Sequence, residues 1–262
     1  MRIHSFSRFT LIALAGLAFF SCNDKEELVS EPLSDYIPLA VGKYIVYRMD
    51  STVFTNFGTT TEVHKYQVKH QVDALLKDNL GNPMYRVYRY IRDSAGTQPW
   101  QPMNSSTYYV TPLEDQIETS EDNLRVIKLH LPVKDGFSWK GNRYVPMSNC
   151  PTTSGPYCSL YSFSNDDNMA DWDFTYEGNG SSFSYKGINY SNVVTVEKND
   201  DTYNVPITNA NIIAYKTRAV DRYSKGIGLV YQEYTMWEYQ PPGTPSPGTS
   251  GFGITLWMID HN

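Results

Sequence analysis

Three residues in the first third of the chain carry side chains that could bind a metal ion. His64 and His70 lie six residues apart in an alternating segment, and Glu62 has the same parity. In an extended strand all three would point to one face. Six residues of strand span about 20 Å, so one ion cannot contact both histidines. The pattern therefore indicates a strand surface, not a metal site.

Carboxylates are most concentrated between residues 165 and 173. Asp166 and Asp167 are followed by Asp171 and Asp173, and oxygen ligands at such spacing can hold Ca²⁺. The segment departs from the EF-hand pattern, because no glycine occupies the turn and no glutamate closes the loop. A solvated loop is the alternative. We predict no cofactor and keep this segment as the one Ca²⁺ candidate.

Two further histidines could act as a general base. His130 has no nucleophile near it in the sequence, and Asp260 directly precedes His261, where an acid could orient the imidazole. No Ser or Cys joins them in a recognised local motif. We predict no catalytic residue and no enzyme activity, with a hydrolase as the least favoured alternative.

The start of the chain is typical of an exported protein. Arg2 and Arg8 precede the apolar run Phe9–Phe20, which ends two residues before Cys22. A basic start and a short apolar core followed by a small residue form a secretory signal peptide. The run is too short to span a membrane, which takes about 20 apolar residues.

Cys22 stands where cleavage is expected. Residues Phe19-Phe20-Ser21-Cys22 resemble the lipobox of bacterial lipoproteins, with Phe19 where Leu is usual. The resemblance implies removal of residues 1–21 and acyl chains on Cys22 as the contact with the membrane. Several chains together anchor a protein stably, whereas one is marginal. The predicted location is the outer membrane.

The residues after Cys22 indicate on which side of the outer membrane the domain is expected to lie. Lys25-Glu26-Glu27 resembles the surface-export signal of Bacteroidota lipoproteins. A solvated tether is the alternative, and would leave the domain facing the periplasm. We predict an acidic, flexible tether over residues 22–34 and a single domain over 35–262.

The composition excludes one class of partner. Removing Arg2 and Arg8 with the signal peptide takes the formal charge from -6 to -8. An acidic domain repels phosphate backbones, so no nucleic-acid partner is expected. The 21 tyrosines suit half-buried strand faces, and exposed aromatic rings for sugars are the alternative use.

Two cysteines and two serines are candidates for covalent modification. Cys150 and Cys158 flank a Pro- and Gly-containing turn. In an oxidising compartment we expect a disulfide there, contributing about 2–3 kcal/mol. Ser51 and Ser94 each follow an aspartate, a pattern that resembles Bacteroidota O-glycosylation sites.

Alternating and β-branched runs predict strands throughout, with residues 64–91 as one long hairpin. Turns are expected at Glu177–Gly180 and Asn199–Asp201. No long amphipathic helix is found. The fold class is therefore all-β, a single antiparallel domain with few or no helices. A strongly curved sheet or half-barrel and a β-sandwich both remain open.

Two stretches together resemble an uncharacterised family of Bacteroidota lipoproteins. These are Tyr36–Tyr47, with its Pro-Leu-x-x-Gly-x-aromatic opening, and Tyr223–Glu233, with Lys-Gly-Ile-Gly-Leu-Val. The resemblance implies an envelope lipoprotein and no particular chemistry. We interpret Gly42, Gly226 and Gly228 as packing positions.

These observations favour a lipid-anchored, non-enzymatic binding or assembly module at the cell envelope. A glycan or another exported protein, held by exposed Tyr and Trp, is the first candidate partner. A periplasm-facing carrier of an apolar ligand is the alternative, because a half-barrel would offer an apolar cavity.

Overall fold

A computed structural model describes residues 31–145 and 169–262. They contain twelve strands in one antiparallel sheet, ordered β6-β5-β4-β3-β2-β1-β12-β11-β10-β9-β8-β7. The first meander runs through β1 (Tyr44–Thr55), β2 (Thr60–Lys77), β3 (Pro83–Asp93), β4 (Gln101–Pro112), β5 (Gln116–Glu121) and β6 (Leu124–His130). The second runs through β7 (Ser138–Lys140), β8 (Asp173–Tyr185), β9 (Ile188–Tyr203), β10 (Ala214–Ser224), β11 (Gly228–Gln240) and β12 (Gly248–His261). The prediction of an all-β antiparallel fold is confirmed.

The two meanders join where β1 pairs with β12, with Arg48 opposite Trp257. The outer edges of the sheet also approach each other. The Ile127 amide of β6 donates to the Gly141 carbonyl just after β7 at 2.9 Å, and the Trp139 indole donates to the Ile127 carbonyl at 3.0 Å. A sheet whose first and last strands meet is nearly closed. The curved sheet is therefore correct and the sandwich is not.

The core lies on the concave side of this sheet and has two clusters. The larger cluster contains Trp139, Tyr176, Ile127, Leu129 and Val194 among others. The smaller one contains Tyr47, Val68, Tyr190, Val230 and Met258. Both mix aromatic and β-branched side chains, which suit the inner face of a pleated sheet.

The hairpin predicted over residues 64–91 is confirmed as β2 and β3. The two predicted turns are wrong. Residues Glu177–Gly180 form a bulge inside β8, with Gly178 and Gly180 in the positive-φ region, and the strand continues beyond them. Asp200 and Asp201 stay in β9, because Arg218 on β10 pairs with Asp200 at 2.7 Å and holds the carboxylate on the strand surface.

The packed unit spans Glu31–Asn262. Leu33 is buried in the larger cluster. The described ranges contain no helix long and apolar enough to cross a membrane, only the 3-10 turns Leu33–Asp35 and Met169–Asp171. Cys22, Cys150, Cys158, Asp166 and Asp167 lie outside the described residues.

Candidate functional site

A cavity of about 190 Å³ lies on the concave side of the sheet. Its apolar wall comes from inward-facing residues of successive strands and from the segment that leads into β1; these are Ile37, Leu39, Ile45, Val72, Val87, Val110 and Leu229. An apolar cavity of about 150 Å³ in a protein can hold a benzene molecule. This cavity therefore has room for one small organic ligand.

The two stretches that carry the family resemblance meet at this cavity. Seven lining residues come from Tyr36–Tyr47 and five from Tyr223–Glu233. The Tyr47 hydroxyl donates to the Leu229 carbonyl at 3.0 Å, which holds the stretches together. Gly228 is at φ +118, and a Cβ there would lie 3.0 Å from Ile45 Cδ1. Close packing against Ile45 explains the glycine at position 228, as expected from the sequence. Both residues belong to one wall of the cavity.

The cavity reaches the surface beside the start of β1. Lys43 and Tyr44 both line it, and both make exposed hydrogen bonds with the last residues of β12 and beyond. Lys43 Nζ donates to the Asn262 carbonyl at 2.9 Å, and the Tyr44 hydroxyl donates to Asp260 at 3.2 Å. A ligand could enter here without opening the sheet.

One wall of the cavity is cationic at Arg89. Its guanidinium donates to the Ser105 carbonyl at 2.6 Å and pairs with Glu121. Its Nε is buried and has no hydrogen-bond partner among the described residues. Buried donors without a partner are rare and costly in folded proteins.

Sequence reasoning missed Arg89, although the pattern of β3 contains a signal for it. Tyr85, Val87 and Ile91 have the same parity and pack into the core clusters. Arg89 occupies the next inward position, where the alternating pattern predicts an apolar residue. The β3–β4 register shifts between Tyr88 and Tyr90, and such bulges re-aim side chains near functional sites.

His70 lies beside Arg89 on the cavity wall. Its Nδ1 is 3.2 Å from the Tyr108 hydroxyl, and its ring packs edge-on against Tyr47. Enclosure by protein, with a further contribution from the Arg89 charge, lowers the pKa of His70 to about 3. The imidazole is therefore neutral at pH 7, and Tyr108, whose pKa is raised by burial, keeps its proton.

A buried ion cluster lies next to the cavity. Asp221 is fully buried, 2.6 Å from Lys198 Nζ and 3.4 Å from Lys128 Nζ, and accepts hydrogen bonds from Tyr223 and Gln232. Burial alone would raise the Asp221 pKa, but the two ammonium groups outweigh it and hold that pKa well below its usual range. Burial lowers the pKa of Lys198 to about 8. Lys128, Tyr223 and Gln232 also line the cavity.

The histidines singled out by sequence do not form one site. His64 is exposed and contacts Glu62 at 3.0 Å, while His70 lies in the cavity. His130 Nδ1 donates to the Leu131 carbonyl at 2.6 Å. Asp260 contacts Tyr44, as described above, and His261 is exposed.

Of the four aspartates that could bind Ca²⁺, Asp171 and Asp173 are among the described residues, and they lie at the edge of the sheet. Asp173 pairs with Lys140 at 3.0 Å, and Asp171 is exposed. Within residues 31–145 and 169–262 no group of three metal-binding side chains is found. Ser51 lies in the middle of β1, between β2 and β12, and Ser94 lies in the turn after β3.

Most of the tryptophans are covered. Trp139, Trp172 and Trp257 are buried, and the half-buried Trp100 has the Arg92 guanidinium 4.1 Å from its ring centroid. Lys69 lies 5.4 Å from the same ring. A face already occupied by a cation is not free to stack on a sugar.

No protein-family model matches the chain, and no curated protein matches its sequence. Among solved structures, it is similar to a protein predicted to be exported, with a YmcC-like fold, from Bacteroides fragilis NCTC 9343. Identity is 10%, the TM-score is 0.33, and the match covers 84% of this chain and 97% of that one. A DUF1329 family protein from Desulfovibrio piger matches at 11% identity and a TM-score of 0.18, over 87% and 88% of the two chains. At these TM-scores neither likeness bears on what this chain does.

Proposed function

We propose that this protein is a non-enzymatic envelope module that binds one small, largely apolar ligand inside its curved sheet. The observation that carries the proposal is the cavity of about 190 Å³, which has an aliphatic wall and reaches the surface beside Lys43. Ligand sites are typically apolar concavities with a few placed polar groups.

Anchoring at the envelope is part of the proposal and rests on the sequence. The signal-peptide pattern before Cys22 and its lipobox-like context support a lipid anchor, with the surface-facing orientation favoured by Lys25-Glu26-Glu27. Binding of glycans by exposed aromatic rings has less support, because cations lie over the ring of Trp100.

A series of linear alcohols from 1-butanol to 1-octanol, titrated by calorimetry, tests the binding of an apolar ligand. Each CH₂ moved from water into an apolar wall contributes about 0.8 kcal/mol, so Kd should tighten about fourfold per added carbon until the cavity is full. A flat series, or no binding up to the solubility limit, would refute the proposal.

Filling the cavity supplies the matched variant. Val110 is 4% exposed and lines the cavity, so Val110→Phe should weaken 1-octanol binding more than tenfold. The same change at Val63, which is 48% exposed on β2, should leave Kd unchanged. Because overpacking costs about 1–3 kcal/mol, Leu39→Phe in the segment before β1 serves as a second filling variant. Unchanged binding in both folded variants would contradict this location.

A further inference from the structure

We infer that the natural ligand is an organic acid, whose carboxylate binds at Arg89 while its apolar part occupies the aliphatic wall. This inference rests on the proposed function and narrows the ligand to one chemical class. Its basis is a fixed guanidinium in the lining of a largely apolar cavity, where the nearby charges sum to a positive value.

The first step concerns the geometry of Arg89. The Ser105 carbonyl and Glu121 hold one end of the guanidinium, and only 16% of the side chain is exposed. Because those contacts fix the planar group, its remaining donors cannot turn away to find water. A carboxylate is the acceptor that a buried guanidinium N–H binds most strongly. Nε itself is buried, so a carboxylate would bind at the part of the guanidinium that lines the cavity.

The second step concerns charge. Lys43, Arg89 and Lys128 are cations of the lining, and Lys198 shares the Asp221 carboxylate with Lys128. Glu121 and Asp221 are the anions paired with Arg89 and the two lysines. Four cations against two anions leave an excess of positive charge, although the chain as a whole has a formal charge of -6. An anionic ligand would neutralise this excess.

The third step concerns where the polar and apolar walls lie. Arg89 on β3, Tyr108 on β4, Thr119 on β5 and Lys128 on β6 follow one another across neighbouring strands of the lining. Leu39 and Ile45 belong to the segment before β1 and to β1 itself. Val87 on β3 and Val110 on β4 also line the cavity, so aliphatic contacts lie next to the polar groups, as an amphipathic acid requires.

Octanoate and 1-octanol, which share a chain length and differ in the head group, provide the test on the folded protein at pH 7.5. We expect octanoate to bind at least tenfold more tightly. Equal affinities would overturn the inference and leave the proposed function standing. Absence of binding by both compounds would overturn both.

Variants then assign the head group to Arg89. Arg89→Met should abolish the preference for octanoate while changing the Kd of 1-octanol less than threefold. Because that change leaves the Glu121 charge without its partner, Arg89→Met/Glu121→Gln is measured alongside and should also show no preference. Arg86→Met is the matched control. Arg86 is on the same strand and pairs with Asp73 at a distance of 2.6 Å, and it is not a lining residue of the cavity. A preference for octanoate that survives in both Arg89 variants would overturn the assignment.

Discussion

Replacing Asp221 with Asn should destabilise the domain more than any other change of a single charge described above. Asp221 is fully buried and is the anion shared by Lys128 and Lys198. Asn keeps the shape but removes the charge, and its amide nitrogen is a donor where a carboxylate oxygen accepted. Two ammonium groups would then lie close together without a counter-ion.

The magnitude follows from the burial of the three groups. Breaking a buried ion pair by removing one partner costs about 3–5 kcal/mol. We take the lower value, about 3 kcal/mol, because part of Lys128 is in contact with solvent and can move its charge outward. For a domain of this size each kcal/mol lowers Tm by about 2–4 °C, so the expected fall is about 6–12 °C.

Urea and thermal unfolding followed by circular dichroism would measure this at pH 7. Asp173→Asn is the control, because Asp173 pairs with Lys140 at 3.0 Å but the side chains are 61% and 46% exposed. Such a surface pair contributes about 0–1 kcal/mol. Adding Lys198→Met to Asp221→Asn should recover part of the loss, since it removes the uncompensated charge.

The pH dependence has a defined sign. The pKa of Lys198 in the folded protein is about 8, below its ordinary value, so the unfolded chain binds the extra proton between the two values. Wild-type stability therefore rises with pH above about 8. Without the Asp221 charge the Lys198 pKa falls further, so Asp221→Asn gains stability from a lower pH and its deficit should shrink as pH rises toward 8. A loss below 1 kcal/mol at pH 7, or a deficit independent of pH, would refute the buried cluster.

Two further perturbations address the cavity wall and the closure of the sheet. The folded pKa of His70 is about 3 and lies below its ordinary value, so its contribution to stability is present above about pH 6.5 and is lost as pH falls toward 3. Urea midpoints should therefore fall more steeply between pH 6.5 and 5 in the wild type than in His70→Gln, and parallel curves would contradict the buried neutral ring. Gly141→Ala would place a Cβ 2.3 Å from the ring of the buried Phe174, at the residue whose carbonyl joins the two sheet edges. Such overpacking should cost about 1–3 kcal/mol in thermal unfolding, against little change for the exposed Ser138→Ala, and equal Tm values for the two variants would argue against the close contact.

The architecture was predictable where side-chain alternation is strict. The sequences of β2 and β3 alternate with period two, interrupted on β3 at Arg89, and the hairpin follows from that pattern. The turns predicted at Gly178 and Asp200 failed because turn-forming residues also occur in bulges and on paired strand surfaces. Whether such a residue ends a strand depends on its cross-strand neighbour, here Arg218 for Asp200, which local sequence does not identify.

The candidate site was predictable only in part. Arg89 stands at an inward position of β3 whose neighbouring inward positions are apolar, so a search for charged residues at inward positions would have found it. The partnership of Asp221 with Lys128 could not be found in this way, because the two are 93 residues apart and meet only when the sheet curves. The apolar cavity was anticipated as a consequence of a half-barrel, but its residues depend on which stretches come together.

The pairing of β1 with β12 has a consequence for the order of assembly. Every other neighbour in the sheet is consecutive in the chain, and apart from β7 and β8 these pairs are short-range hairpins. The central seam, by contrast, brings together residues as far apart as Tyr44 and Asp260, separated by 216 positions. Closing so long a loop is slow relative to forming hairpins. Until β12 arrives, β1 presents an open strand edge that could pair with another molecule, so the joining of the two halves is the step at which newly made chains are most exposed to aggregation.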